Sequence, residues 1–396
     1  MATRMVKACA ITHDGLASFC AEEIMELIGA ACTLCRGIVF FEASWNDLAV
    51  LCYRAQTVSK VLAVLGEWTS REYDAILGAV ERLDIDPAPF KGLTFKLHCE
   101  RKGDHNFSSQ DIAAEAGGII KQKIAADVNL AAPDIPLYLY IHGETCVLGI
   151  DCAGIDLSKR DYRIFSHHST IKSSLAMLLL RIGGYTPDVA LLDPFCGSGT
   201  IPIEAALYAA KKSPLYYSKD KLAMLRFAFL DSHALRRVLD AQDKKIKAEI
   251  AGRIFASDVL LHHVKSTQKN AKIAGVHDLI KASRLEVGWL ETKHDEESIS
   301  LIVTNPPIVS KLHEKEAIKA IEEFYYQAEF ILALGGCIVV CTAAPQVHKD
   351  LAKKFGLALK NQLQTEQGKL DLDVLVFEKT KKSVSKPQSG APDRNP

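Results

Sequence analysis

Leu191–Leu207 reads LLDPFCGSGTIPIEAAL, and the fold of the chain is decided there. An apolar run ends in Asp193. A turn holding Pro194, Cys196, Gly197 and Gly199 follows, and an Ala-rich apolar stretch opens at Thr200. The pattern predicts a buried strand, a tight turn and a helix. Gly197 and Gly199 lack a Cβ, so a ligand can lie directly on the backbone. Open α/β sheets bind ligands beyond the carboxyl ends of their strands, and the turn sits at such an end. It is not a dinucleotide GxGxxG, because no third glycine follows, and not a phosphate loop, because Gly-Lys-Ser/Thr is missing.

The same alternation continues outward. Strands are expected at Val189–Asp193, Arg253–Ser257, Ile280–Ser283, Ser300–Thr304 and Gly336–Thr342. Helices are expected at Thr200–Ala210, up to Ala274, at Glu314–Leu334 and at Val347–Phe355. Repeated βα units predict a mostly parallel, doubly wound sheet. Ala358–Gln364 and Leu370–Phe377 close it as a hairpin, which implies one antiparallel strand near an edge. The first half is mixed: helices at Leu16–Leu27, Trp45–Leu65 and Gln110–Ala126, strands at Gly37–Glu42 and Leu93–Cys99, and a hairpin of Leu137–His142 with Thr145–Asp151. That is an α+β module.

Leu301–Pro307 (LIVTNPP) is a second strand-ending turn. Its two prolines stiffen the backbone and remove two N–H donors. What remains is a set of acceptors: the Asn305 side chain and the carbonyl oxygens. Hydrogen bonds from an exocyclic amine to Asn305 and the Pro306 carbonyl, with Pro307 fixing the turn, would favour a pyramidal nitrogen. They would also aim its lone pair at an incoming methyl group, which is catalysis by orientation and preorganised electrostatics.

Asp193–Glu204 with the Asn-Pro-Pro turn resembles the S-adenosylmethionine-dependent RNA methyltransferases that carry an N-terminal THUMP domain. Diffuse matches extend the resemblance over about residues 8–378: Asp14-Gly15-Leu16, Ala21–Ile24, Ser59–Leu62 and the Leu137–Asp151 hairpin. It implies an α/β protein: a Rossmann-like class I methyltransferase domain with a mixed seven-stranded sheet, preceded by an α+β ferredoxin-like and THUMP module. The implied boundaries are 1–165 for the RNA-binding region, 166–378 for the methyltransferase domain and 379–396 for a disordered tail. The resemblance implies S-adenosyl-L-methionine as cofactor, held by Asp193, Pro194, Cys196, Gly197, Gly199 and Thr200. Asp258 would take the ribose hydroxyls, since two carboxylate oxygens suit two vicinal hydroxyls. Glu286 would lie near the adenine amine. Asn305, Pro306 and Pro307 are the implied catalytic set.

The implied product is N2-methylguanosine in tRNA or rRNA, on a flipped-out base. Two other readings remain open at this point. One is an adenine-N6 methyltransferase of RNA or DNA; the other is a non-catalytic THUMP RNA-binding protein with a relic methyltransferase domain. The family usually has Tyr or Phe after Asn-Pro-Pro, where the ring stacks on the base. Here Ile308 stands there, and Trp289, Tyr325 and Tyr326 are the candidate replacements. The family's Arg-Gly-Tyr-Arg-like stretch becomes Lys159-Arg160-Asp161-Tyr162-Arg163, a phosphate or cofactor contact or a solvated linker.

The rest of the chain sets bounds. Its 396 residues suggest two or three domains, and 48% hydrophobic with 24% charged residues excludes wholesale disorder. No apolar run reaches about 18 residues, and the amino terminus makes a poor secretory signal. Eleven scattered cysteines predict reduced thiols and a cytoplasmic protein. The pair Cys32-x-x-Cys35 has no second pair at zinc spacing, and His167-His168 has no ligand partner, so no metal is expected. Net charge is zero, but residues 1–165 hold 16 Lys+Arg and 22 Asp+Glu, and residues 166–396 hold 32 and 26. RNA contact is therefore expected by shape more than bulk charge. Its expected sites are a patch of Lys91, Lys96, Arg101 and Lys102 and a basic helical insertion, Lys211–Ile250. A monomer is expected.

Overall fold

The structure, a computed structural model, describes residues 4–166, 170–309, 313–368 and 370–381. His167-His168, Ser310-Lys311 and the tail from Lys382 lie outside the described residues. Two compact units share the chain. One comprises residues up to Thr12, Cys20–Ser158 and Ser213–Lys245; the other comprises His13–Phe19, Lys159–Lys212 and residues from Ile246 on.

The first unit begins β1 (Met5–Ile11), α1 (Ala17–Ile28), β2 (Cys32–Cys35), β3 (Ile38–Ser44), α2 (Trp45–Arg54) and β4 (Lys60–Thr69). It continues α3 (Tyr73–Arg82), β5 (Thr94–Lys102), α4 (Ser109–Ile124), β6 (Asp127–Val128), β7 (Ile135–His142) and β8 (Thr145–Asp151). Among the described residues these strands form one eight-stranded sheet ordered β2-β3-β1-β4-β8-β7-β5-β6. The β7–β8 hairpin turns at Gly143, with His142 opposite Thr145.

Trp45–Leu65 is not one helix. A capping box between Ser44 and Asp47 starts α2, which stops at Arg54, with Ala55 already extended. Glu23 then holds the connection, accepting from the Gln56 amide at 3.0 Å and the Thr57 amide at 2.9 Å. Beyond it Val61 and Leu62 pair between β1 and β8. Cross-strand burial decided the conformation over a helical periodicity that was real only to Arg54.

The second unit runs α5 (Ser173–Ile182), β9 (Leu191–Asp193) and α6 (Thr200–Ala209). The chain then supplies α7 (Ser232–Asp243) to the first unit before returning as β10 (Ile254–Asp258), α8 (Leu261–Ala274) and β11 (Ile280–Arg284). It closes with β12 (Ile299–Thr304), α9 (Glu314–Ile331), β13 (Leu332–Thr342), α10 (Pro345–Lys354), β14 (Leu357–Gln367) and β15 (Leu370–Lys379). The sheet order is β11-β10-β9-β12-β13-β15-β14, seven strands among the described residues. Strands β9 to β13 pair in parallel, and β15 runs antiparallel to both neighbours. Buried apolar side chains fill both faces of the sheet, which is why Leu191-Leu192 in β9 and Leu301–Val303 in β12 read as apolar runs. The last strand includes Lys379, whose buried ammonium donates to the carbonyls of Glu329 (2.7 Å) and Leu332 (2.9 Å). Among the described residues no helix is long and apolar enough to cross a membrane.

The insertion packs on the first unit. Trp45 meets Phe229 and Phe227 edge-on at 5.3 and 6.4 Å, and Tyr53 donates to Asp243 at 2.6 Å. Its backbone adds bonds from Ala223 to Ala153 (2.9 Å) and from Met224 to Cys152 (3.0 Å). Several of its cations have partners: Lys219 bridges Asp240 and Asp243, both at 2.8 Å, and Arg236 pairs with Asp220.

Candidate active site

The turn after β9 is shaped from three sides. Gly197 and Gly199 have φ of 53° and 84°, left-handed values that glycine adopts at little cost. A Cβ on Gly199 would stand 2.7 Å from Thr267 Cγ2, so space also demands glycine. The Cys196 amide donates to the Ser257 carbonyl at 2.9 Å, and the Gly197 amide donates to Asp258 Oδ2 at 3.0 Å. Thr267 Oγ1 donates to the Gly197 carbonyl at 3.0 Å. Asn270 donates to the Ser198 carbonyl at 2.9 Å and to the Phe165 carbonyl at 3.0 Å. Strand β10 and helix α8 thus fix the turn before any ligand arrives.

Asp193 and Thr304 tie the two sequence motifs together. Thr304 Oγ1 donates to Asp193 Oδ1 at 2.8 Å, and the Phe195 amide donates to the same oxygen at 3.3 Å. Thr304 immediately precedes Asn305, so one buried bond links the glycine turn to the Asn-Pro-Pro turn across adjacent strands. Burial pushes the Asp193 carboxyl up to about 7; the bonds from Thr304 and Phe195 oppose the rise, and Asp258 adds to it.

One cavity of about 350 Å³ opens on this framework. Asp193, Pro194, Cys196, Gly197, Thr200, Asp258, Glu286, Asn305, Pro306 and Pro307 all line it. Of the residues expected at the site, Gly199 alone does not; it caps α6 behind the wall. Phe195, Thr170, Ile171, His263 and Glu323 are among its other lining residues. Asp258 is more committed than a ribose ligand needs to be. It accepts from the Gly197 amide, from the Leu260 amide (2.9 Å) and from His263 Nδ1 (3.1 Å). A carboxylate offers about four acceptor positions, so roughly one is left for an outside hydroxyl.

The cavity fits S-adenosylmethionine by volume and by chemistry. Ligand cavities span roughly 300–1,000 Å³. Thr200 Oγ1 is buried with no hydrogen-bond partner in the structure, at the head of α6, and Thr200 lines the cavity. Such an orphaned hydroxyl is the group that an incoming polar ligand satisfies. Among the described residues no Lys or Arg lines the cradle, which suits a ligand whose reacting centre is a positive sulfonium.

Three expectations are corrected. Arg160 is not a phosphate contact: it is buried and forms a two-pronged pair with Glu204, Nε to Oε1 at 2.9 Å and Nη2 to Oε2 at 3.0 Å. Tyr162 donates to the same Glu204 at 2.8 Å. This linker is therefore a clamp on α6. Tyr325 cannot replace the missing aromatic, because it is buried against Phe324, Phe377 and His348. Ile308 is 55% exposed and outside the cavity lining, while Phe195, edge-on to Phe324 at 5.7 Å, faces inward. The expected basic patch is partly committed too: Lys96 donates to the Leu130 carbonyl at 2.9 Å, and Arg101 to the His105 carbonyl at 3.2 Å.

Thr267 and Asn270 were legible in principle. They fall on the buried stripe of α8 with Val264, Ala271 and Ala274, and polar residues on such a stripe mark buried hydrogen bonds. His263 and Glu323 carried no such signal.

A seven-stranded sheet with one antiparallel strand, and a glycine-turn cavity beyond its carboxyl ends, define a methyltransferase whose methyl donor is S-adenosylmethionine. The chain belongs to the family of RMKL-like methyltransferase domains, whose family model matches residues 160–374. A THUMP domain matches residues 71–151. The tRNA (guanine(6)-N2)-methyltransferase of Methanocaldococcus jannaschii is 29% identical over 350 residues, covering 85% of this chain and 89% of that protein. The enzyme of the same name from Archaeoglobus fulgidus is 27% identical over 351 residues, covering 86% and 84%. A solved structure described as a possible methylase from Clostridium difficile shares the fold, with a TM-score of 0.80 at 22% identity over 96% of this chain and 99% of that one.

Proposed function

We propose that the protein methylates the exocyclic N2 of a guanine in RNA, and more narrowly guanosine 6 of tRNA. One observation carries the reading: the glycine turn and the Asn-Pro-Pro turn open into a single cavity, joined by the Asp193–Thr304 bond. The names of the two archaeal relatives and the THUMP domain support guanine N2 and tRNA.

The roles follow from position. Asp193, Pro194, Cys196, Gly197 and Thr200 hold the cofactor, with Gly199 shaping their turn. Asp258 takes a ribose hydroxyl, and Glu286, just beyond β11, takes the adenine amine. When bound, S-adenosylmethionine supplies an electrophilic methyl on its sulfonium. Asn305 and the Pro306 carbonyl accept the amine's N–H bonds, which frees the nitrogen lone pair to form the new N–C bond as the S–C bond breaks. The amine's surplus proton leaves to water. A base whose amine reaches Asn305 in this cavity must first leave its helix. The region 1–165 binds the RNA, together with 213–245, which belongs to the same unit, and the rest of 166–379 carries out transfer. Eleven unpaired cysteines support a cytoplasmic setting, and the protein acts as a monomer.

Calorimetry with S-adenosylhomocysteine tests the cofactor half of this reading. Saturable binding is expected well below millimolar concentration. Absence of heat at millimolar ligand would contradict it.

A further inference from the structure

We propose that Glu323 reads the N1–H of the target guanine and thereby sets guanine over adenine-like bases; the assignment rests on the guanine-N2 reading above. Four carboxylates line the cavity: Asp193, Asp258, Glu286 and Glu323. Asp193 is buried and bonded to Thr304 and Phe195, and Asp258 to Gly197, Leu260 and His263. Glu286 follows Leu285, whose amide donates to the Asp258 carbonyl at 3.1 Å, so it stands on the cofactor side. Glu323 comes from α9, the element that follows the Asn-Pro-Pro turn, and Ala320 one turn earlier also lines the cavity.

Its platform is firm. Gln327, one helical turn on and buried, donates to the Gly288 carbonyl at 2.9 Å and accepts from the Glu291 amide at 3.0 Å. These bonds lock α9 to segment 287–292. A Cβ on Gly288 would stand 3.3 Å from Glu323 Oε2, so glycine there leaves room for the carboxylate. Its charged neighbour among the described residues is Lys319, 3.9 Å away and largely exposed, which leaves the oxygens available to a ligand.

Guanine presents N1–H beside its 2-amino group. With the amine turned to Asn305 and Pro306, N1–H enters the cavity as a donor that needs an acceptor, and a carboxylate makes the strongest such bond. A base with a lone pair at N1 would instead meet a carboxylate oxygen, acceptor against acceptor. Exclusion then costs more than a lost bond, which is how polar sites discriminate strongly.

The test compares wild type and Glu323→Gln on two tRNA transcripts. One carries guanosine at the mapped target position, and the other carries 2,6-diaminopurine, which keeps the 2-amino group and lacks N1–H. Wild type should favour guanosine in kcat/KM by about ten- to a hundredfold. In E323Q the amide can donate to N1, so the preference should fall to within about threefold, with affinity for S-adenosylhomocysteine unchanged within about twofold. A preserved preference, whether activity stays or falls, overturns the assignment. So does a tenfold loss of S-adenosylhomocysteine affinity in E323Q, which would make Glu323 a cofactor residue. Wild-type methylation of adenine N6 would sink the guanine reading itself and this assignment with it, an outcome distinct from failure of Glu323 alone.

Discussion

The two sheets put their polar side chains to different uses. In the first unit, charged groups satisfy one another: Lys60 pairs with Asp151 at 2.5 Å, Lys219 with two aspartates, and Tyr138 with Glu100. In the second unit, parallel strands all end on one side, and their last residues converge. Asp193, Asp258 and Thr304–Asn305 come from β9, β10 and β12, and Glu286 follows β11. Parallel topology concentrates chemistry at one edge, whereas a largely antiparallel sheet scatters its strand ends. The −6 balance of residues 1–165 therefore says little about where RNA binds. The free cations, not the sum, decide that.

The sharpest way to break this contrast is to disturb the fully buried Arg160–Glu204 pair of the second unit. Glu204→Ala should remove the buried carboxylate to which Arg160 and Tyr162 donate, costing about 3–5 kcal/mol in urea denaturation. A loss below about 1 kcal/mol would show that water reaches the pair and that the linker is no clamp. Next, Asn305→Ala should lower methyl transfer by about 10²–10³-fold with cofactor affinity nearly unchanged. Equal loss of both would remove Asn305 from the reacting amine.

Asp193 sharpens the comparison through pH. Its folded carboxyl titrates near about 7, raised by burial, whereas an unfolded aspartate titrates near about 4. Between those values the folded chain holds a proton that the unfolded chain has released. The group's contribution is therefore complete below about pH 4 and is lost as pH rises through about 7. Asp193→Asn should flatten the stability-against-pH curve in that window; an identical slope in both proteins would refute the buried-acid assignment. The smallest effect belongs to the first unit. Lys7–Glu67 is a 2.5 Å pair on an exposed surface, so Lys7→Ala should change stability by about 0–1 kcal/mol and transfer not at all.

The same contrast explains what could be read from the sequence. Asp193–Thr200 and Asn305–Pro307 were legible because each is a local strand-to-turn pattern whose geometry is set within a few residues. The closing hairpin and its antiparallel strand were legible for the same reason. Strand β4 was not, because Glu23, some thirty residues away, ends the preceding helix region, and partners β1 and β8 make the strand. The Arg160–Glu204 clamp, the Asp193–Thr304 tie and the return of 213–245 to the first unit are likewise long-range. Charge sequence alone could not distinguish a paired lysine from a free one.

The central claim is methyl transfer to guanine N2 in RNA. Incubating the protein with tritiated S-adenosylmethionine and unmodified tRNA and rRNA, then digesting to nucleosides, tests it most directly. Label is expected in N2-methylguanosine from tRNA. Label in N6-methyladenosine, or none in either RNA, would contradict it.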